Sequence, residues 1–117
     1  MLICLPWPDA RLSPNSRAHW AQVAKAKKCA RAASHALTLA LGDIDQRRHH
    51  FAGDFGIPVR VLFYPPDKRQ RDADNAFASM KATFDGIADA LKVNDSRFVP
   101  HMEMREPAKP GRVEILL

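Results

Sequence analysis

Leu2 to Leu5 is a short apolar run stopped by Pro6 and Pro8, which predicts a buried strand. Pro8 to Ser16 consists of turn-forming residues, and Asn15 or Ser16 supplies a side-chain oxygen to cap a helix beginning near Arg17. That helix is rich in alanine and runs to about Leu41, where Gly42 ends it. At about 100° per residue, Val23, Ala26, Ala30, Ala33, Leu37 and Leu41 share one side, while Arg17, Lys25, Lys27, Lys28 and Arg31 share the other. Residues 42–55 have no period and predict a loop. Ile57 to Tyr64 predicts a strand with Val59, Val61 and Phe63 on one face, ended by Pro65-Pro66. The polar stretch Asp67 to Asn75 leads into a second helix reaching about Leu91, with Phe77, Met80, Phe84, Ile87 and Leu91 as its apolar seam. Val93-Asn94-Asp95 predicts a turn, Phe98 to Met104 a third strand, Pro107 to Gly111 a turn and Arg112 to Leu117 a fourth strand. The pattern is that of one α+β domain over residues 1–117: a small mixed sheet, two principal helices, and the last two strands paired as a hairpin.

A chain of 117 residues has room for a single core, and one this small gains stability from pairing with a second copy. No apolar run approaches the roughly 20 residues of a membrane span, and Met1 to Pro8 lacks the basic leader of a signal peptide. Cys4 and Cys29 have no paired spacing, so they read as reduced, buried thiols in a cytoplasmic protein. Adjacent His49 and His50 cannot easily point at one ion and read as surface residues. The net charge of +5, with a pI near 9.6, favours nucleic acid or another anionic surface as partner. No acidic residue lies between Asp9 and Asp43, so the cations of the first helix have no local partners. They form either a solvated polar face or a phosphate-contacting one.

The densest polar stretch carries the candidate chemistry. Asp72 and Asp74 are one residue apart, and in extended chain alternate side chains point the same way. Two such carboxylates can hold a hard cation, which metal-assisted phosphodiester hydrolysis needs. The competing reading makes one of them a helix cap and Asn75 a turn residue. Lys68, Arg69, Arg71 and Lys81 close by favour the first, because cleaving a polyanion takes bases for its backbone beside the acids. On one continuous helix, Asp74, Ala78, Lys81 and Asp85 form a stripe. Lys81 then either leans toward the aspartates to stabilise a phosphate or pairs with Asp85 one turn on. Asp95 lies beyond the helix, and the residues alone give no reason to place it in the site.

The segments Arg71-Asp72-Ala73-Asp74-Asn75, Lys81-Ala82-Thr83-Phe84-Asp85 and Asn94-Asp95-Ser96-Arg97-Phe98 resemble the RusA family of Holliday junction resolvases. Leu5-Pro6-Trp7-Pro8, Ser13-Pro14-Asn15 and the basic helix after them are similar to that family too, so the likeness is weakest over residues 42–55. The resemblance implies a homodimer that makes paired nicks in four-way DNA junctions with Mg²⁺, for which Mn²⁺ can substitute. It maps the metal-binding aspartates to Asp72, Asp74 and Asp95 and a catalytic lysine to Lys81. The family's lysine stands four residues after the second aspartate, which here is Ala78. The three extra residues carry Lys81 roughly 4.5 Å further along a helix. Arg17, Lys25 and Lys28 of the first helix join Lys68, Arg69 and Arg71 as expected DNA contacts. The function expected is Holliday junction resolution in DNA recombination and repair. Its alternatives are a basic DNA-binding module without catalysis and a nuclease for flaps or forks.

Overall fold

The structure is a computed structural model that describes residues 1–117. Four strands form one mixed sheet: β1 (Leu2–Pro6), β2 (Ile57–Tyr64), β3 (Phe98–Met104) and β4 (Arg112–Leu116), in the order β1-β4-β2-β3. The helices are α1 (Trp20–Ala40), α2 (Ile44–His50), α3 (Ala73–Ala78) and α4 (Lys81–Leu91). Short 3₁₀ turns occupy Ala10–Leu12 and Asp95–Arg97. The α+β class and the four strands match the expectation. The helix count differs, because the stretch expected as a loop contains α2 and the second helix divides into α3 and α4. No helix is long and apolar enough to cross a membrane.

The expected hairpin between the last two strands does not form. Phe98–Met104 pairs in parallel with β2, and Arg112–Leu116 inserts between β1 and β2, antiparallel to both. Main-chain bonds steer the return: the Arg105 amide donates to Phe63 O at 2.8 Å and the Ala108 amide to Pro65 O at 2.8 Å. These carry residues 105–111 across the end of β2 rather than back along β3. A parallel pair needs a crossover between its strands, and α3 and α4 provide it.

Alternation decides which face of the sheet is covered. Ile3, Leu5, Val59, Val61, Phe63, Val113 and Ile115 are buried together with Met80, Phe84, Ile87 and Leu91 of the helical layer. Register sets Ile3 beside Ile115 beside Val61, and Leu5 beside Val113 beside Phe63. Cys4 has the opposite sense and is exposed, as is Cys29, so the thiols expected to be buried are not. Phe51, just after α2, is buried in the same core.

α1 lies along α4 and turns Ala26 of its predicted apolar side inward, but over its second half Ser34 and Thr38 take the inward positions in place of Leu37 and Leu41. Ala26, Ser34 and Thr38 are buried, whereas Leu37 and Leu41 are each 39% exposed. The cause is the closeness of the two helices at Gly86, where a Cβ would lie 2.1 Å from Ser34 Oγ and 2.2 Å from Arg31 O. Only small side chains fit there. Ser34 Oγ donates to Thr83 O at 2.8 Å, and Thr38 Oγ1 donates to Ser34 O at 2.7 Å, so the buried hydroxyls are satisfied. α1 also starts later than expected, with His19 rather than Asn15 or Ser16 as its cap; His19 Nδ1 accepts from the Ala21 amide at 3.2 Å.

Candidate functional site

Ser79 and Met80 interrupt the helix that would carry Asp74, Ala78, Lys81 and Asp85 in one stripe. Ser79 caps the C-terminus of α3, and its Oγ donates to Asn75 O at 2.9 Å. The Met80 amide donates to Phe77 O three residues back, a tighter turn than the α-helix makes. α4 therefore begins afresh at Lys81. From there Lys81 Nζ donates forward to Asp85 Oδ1 at 2.7 Å and also to Asp95 Oδ2.

Asp95 reaches this lysine because the chain reverses sharply after α4. Lys92 adopts a left-handed conformation (φ 55°, ψ 44°), and the Val93 amide donates back to Ala88 O at 3.1 Å. Asn94 Oδ1 then accepts from the Ser96 amide at 2.9 Å and holds Asp95 in the first position of the 3₁₀ turn. α4 is only about 16 Å long, and four residues running back along it cover most of that distance. The result is one ammonium gripped by two carboxylates. The hydrogen bond it donates to Asp85, then that to Asp95, raises the Lys81 pKa above its ordinary value, and Lys81 in turn lowers that of Asp95.

Asp72 and Asp74 make no hydrogen bond or ion pair with this group. Asp72 is the N-cap of α3, its Oδ1 accepting from the Asp74 amide at 2.9 Å, while Asp74 lies in the first turn. One residue is extended and the other helical, so the alternation expected of an extended pair does not apply. Nowhere in the chain do three His, Cys, Asp or Glu side chains stand close enough to hold a metal ion. Asp72, Asp74 and Asp95 of a single chain thus do not offer Mg²⁺ the three-carboxylate set implied by the resemblance. Asp85 is the acidic neighbour of Asp95 that the sequence treated only as an ion-pair partner of Lys81.

The cations divide into tied and free groups. Arg71 donates to Asp67 O and Arg69 O, pairs with Asp67 Oδ1 at 2.9 Å, and packs 5.4 Å from the centre of the Trp7 ring. It braces its own loop, with only 12% of its side chain exposed. Arg31, expected to lack a local partner, finds a distant one and makes two hydrogen bonds to Asp89 of α4 at 2.6 and 2.9 Å. Arg11 grips Asp9 through two hydrogen bonds of its own, and this pairing lowers the Asp9 pKa to about 2. Arg17, Lys25, Lys27, Lys28, Lys68 and Arg69 enter no ion pair.

Two clefts gather several of these groups. One, of about 720 Å³, lies between the loop at Arg11–Ser16, α1 and the start of α4; Lys27, Lys28, Arg31, Lys81 and Asp85 line it. The second, of about 670 Å³, includes Trp7, Arg17, Arg69, Arg71 and Asp72. Arg11, Ser13 and Ser16 form part of both walls. Sequence reasoning underrated Arg11 and Lys27, and the absence of acids from residue 10 to residue 42 was the signal that could have included them. Lys25 and Lys68 are exposed but line neither cleft.

No family model matches the chain. An uncharacterized protein of Xylella fastidiosa is similar to it, with 40% identity over 122 residues covering 98% of this chain and 74% of that protein. At that identity and coverage, the chain belongs to the same family as the Xylella fastidiosa protein.

Proposed function

We propose that the chain is a structure-specific endodeoxyribonuclease that resolves four-way DNA junctions as a homodimer, in cytoplasmic DNA recombination and repair. The observation that carries this reading is the meeting of a basic cleft with the Lys81–Asp85–Asp95 group. Unpaired Lys27 and Lys28 suit a phosphate backbone, and Lys81 at the end of the cleft suits the phosphate that reacts. The motif resemblance supports the same reading and adds Asp72 and Asp74 on the neighbouring helix. Symmetric cutting across a junction takes two sites, hence the homodimer. Mg²⁺ dependence, with Mn²⁺ as substitute, belongs to the proposal. Because the three mapped aspartates lie apart within one chain, no metal-bound step is derived from them.

A second reading is a basic DNA-binding module without catalysis. It is favoured by Asp72 serving as a helix cap and by the lack of any three-residue metal cluster. A nicking assay separates the two. Purified protein is given a synthetic four-way junction, a fork and a linear duplex, each with and without Mg²⁺ or Mn²⁺. Resolution predicts paired nicks in the junction that Asp74→Asn and Asp95→Asn abolish while junction binding persists. Binding without nicks under either ion supports the module, and equal cutting of the fork points to a broader nuclease.

A further inference from the structure

A third cavity opens on the far side of Lys81. It holds about 330 Å³ and is lined by Phe77, Phe84, Phe98 and Pro100, with Lys81 and Asp95 at its rim. The Phe77 and Phe84 ring centroids are 5.5 Å apart, and those of Phe84 and Phe98 are 6.1 Å apart. Phe84 is buried, whereas Phe77 and Phe98 are partly open to solvent. Lys81 and Ala78 form a wall common to this aromatic cavity and the basic cleft.

We infer that this cavity accepts one unpaired nucleobase of a DNA strand whose backbone follows the basic cleft. The inference rests on the DNA reading above and names a subsite within it. The occupant must be flat and apolar over its rings yet anionic a few ångströms away, where Lys81 divides the two cavities. A nucleotide has both properties, and phosphate-tracking cations beside aromatic faces are how unpaired strands are bound. The volume lies at the small end of ligand pockets and suits one ring system rather than a length of chain. At the rim, the Asp95 carboxylate is an acceptor for a base N–H. At the branch point of an open junction a base pair has lost its stacking neighbour on one side, so less stacking opposes extrusion of one of its bases into the cavity.

The test is binding of a four-way junction without divalent metal, with abasic sites placed singly at nucleotides around the branch point. For the wild-type chain, one abasic position is expected to weaken binding about tenfold, the effect of losing a stacked base. Phe77→Leu should weaken binding of the intact junction about as much and lose the discrimination, while the slope of affinity against salt stays the same. Ala78→Met, which fills the mouth from an exposed position, should do likewise; thermal melting shows whether either variant is folded. The inference is overturned if the wild type binds every abasic junction as tightly as the intact one, or if both folded variants still discriminate. It is also overturned if Phe77→Leu shifts a dimer to monomer in sedimentation, which would make the cavity a contact between copies. Failure to bind any DNA at low salt would overturn the DNA reading itself, and with it this subsite; salt-dependent binding without discrimination would remove the subsite alone.

Discussion

The two principal helices solve different problems with different side chains. α4 buries eight of its 11 residues, among them Phe84, Ile87 and Leu91, which join the core on the sheet. α1 is nearly twice as long at 21 residues, yet buries three, Ala26, Ser34 and Thr38, and contributes none to that core. α4 is therefore held by apolar area, and Lys92, the cap residue just after it, sets up the reversal that brings Asp95 to Lys81. α1 is held by close approach to α4, which leaves most of its surface available to cations. A helix read only for hydrophobicity is read correctly in the first case, and in the second is right at Ala26 and wrong at Ser34 and Thr38.

The contrast can be broken most forcefully at Gly86. Gly86→Leu places bulk where even a Cβ meets Ser34 and the Arg31 carbonyl. Overpacking of this kind is expected to cost about 3 kcal/mol, seen as a lower urea midpoint with little change in slope. If the variant is as stable as the wild type, α1 and α4 are not locked at that crossing. On the proposed chemistry, Asp95→Asn should abolish junction nicking, a loss of at least about a hundredfold, the order seen when one group that serves the charge of a transition state is removed. Its melting temperature should change little, because the side chain lies at the surface. A comparable loss of stability instead would make Asp95 a structural residue of the turn.

Charge on α1 should matter for binding and not for folding. Lys27→Ala combined with Lys28→Ala should weaken junction binding and reduce the salt slope by about two, one for each phosphate left without its ammonium. Unchanged titrations at several salt concentrations would leave these lysines as a solvated face. Leu37→Gln tests the reverse side of the same helix. The leucine is 39% exposed, so the expected change in urea stability is within about 0.5 kcal/mol. A large loss would show that the apolar pattern does mark a buried contact.

Acid titration gives the smallest effect. The Asp9 carboxyl has its pKa lowered by Arg11, so its ion pair adds stability above the ordinary carboxylate value of 3.8, and that contribution fades as pH falls through about 2. Wild type and Asp9→Asn should therefore differ by a small constant amount above pH 4 and converge near pH 2 in acid unfolding curves. Lys81 has the opposite sign: its pKa is raised, so its ion-pair contribution is complete below 10.5 and is lost only as pH rises through the higher folded value. Nicking from pH 6 to 9 should show no step from this lysine.

What was legible in the sequence followed from side-chain periodicity against a thick apolar layer. Val59, Val61 and Phe63 alternate, and Met80, Phe84, Ile87 and Leu91 recur at helical spacing, because each meets the same core. The break at Ser79–Met80 left no such trace, since neither residue is a glycine or proline and the competing acceptor is a local carbonyl. Strand order was hidden as well: it depends on where the Arg105 and Ala108 amides find acceptors, and polar residues around them do not reveal that. In the site, the Lys81–Asp85 pair could be read from a spacing of four. Asp95 could not, because its approach depends on a left-handed Lys92, a conformation seldom adopted by that residue type. Motif resemblance named Asp95 without giving a reason for its position, and the reversal after α4 provides one for its contact with Lys81.

The crossing at Gly86 also constrains how this sequence can change over time. Ser34 and Gly86 occupy a single shared volume although they lie in distant parts of the chain, so bulk gained on one helix has to be surrendered on the other. Drift at either position alone is closed off, and the two residues are expected to vary as a pair among descendants of a common ancestor.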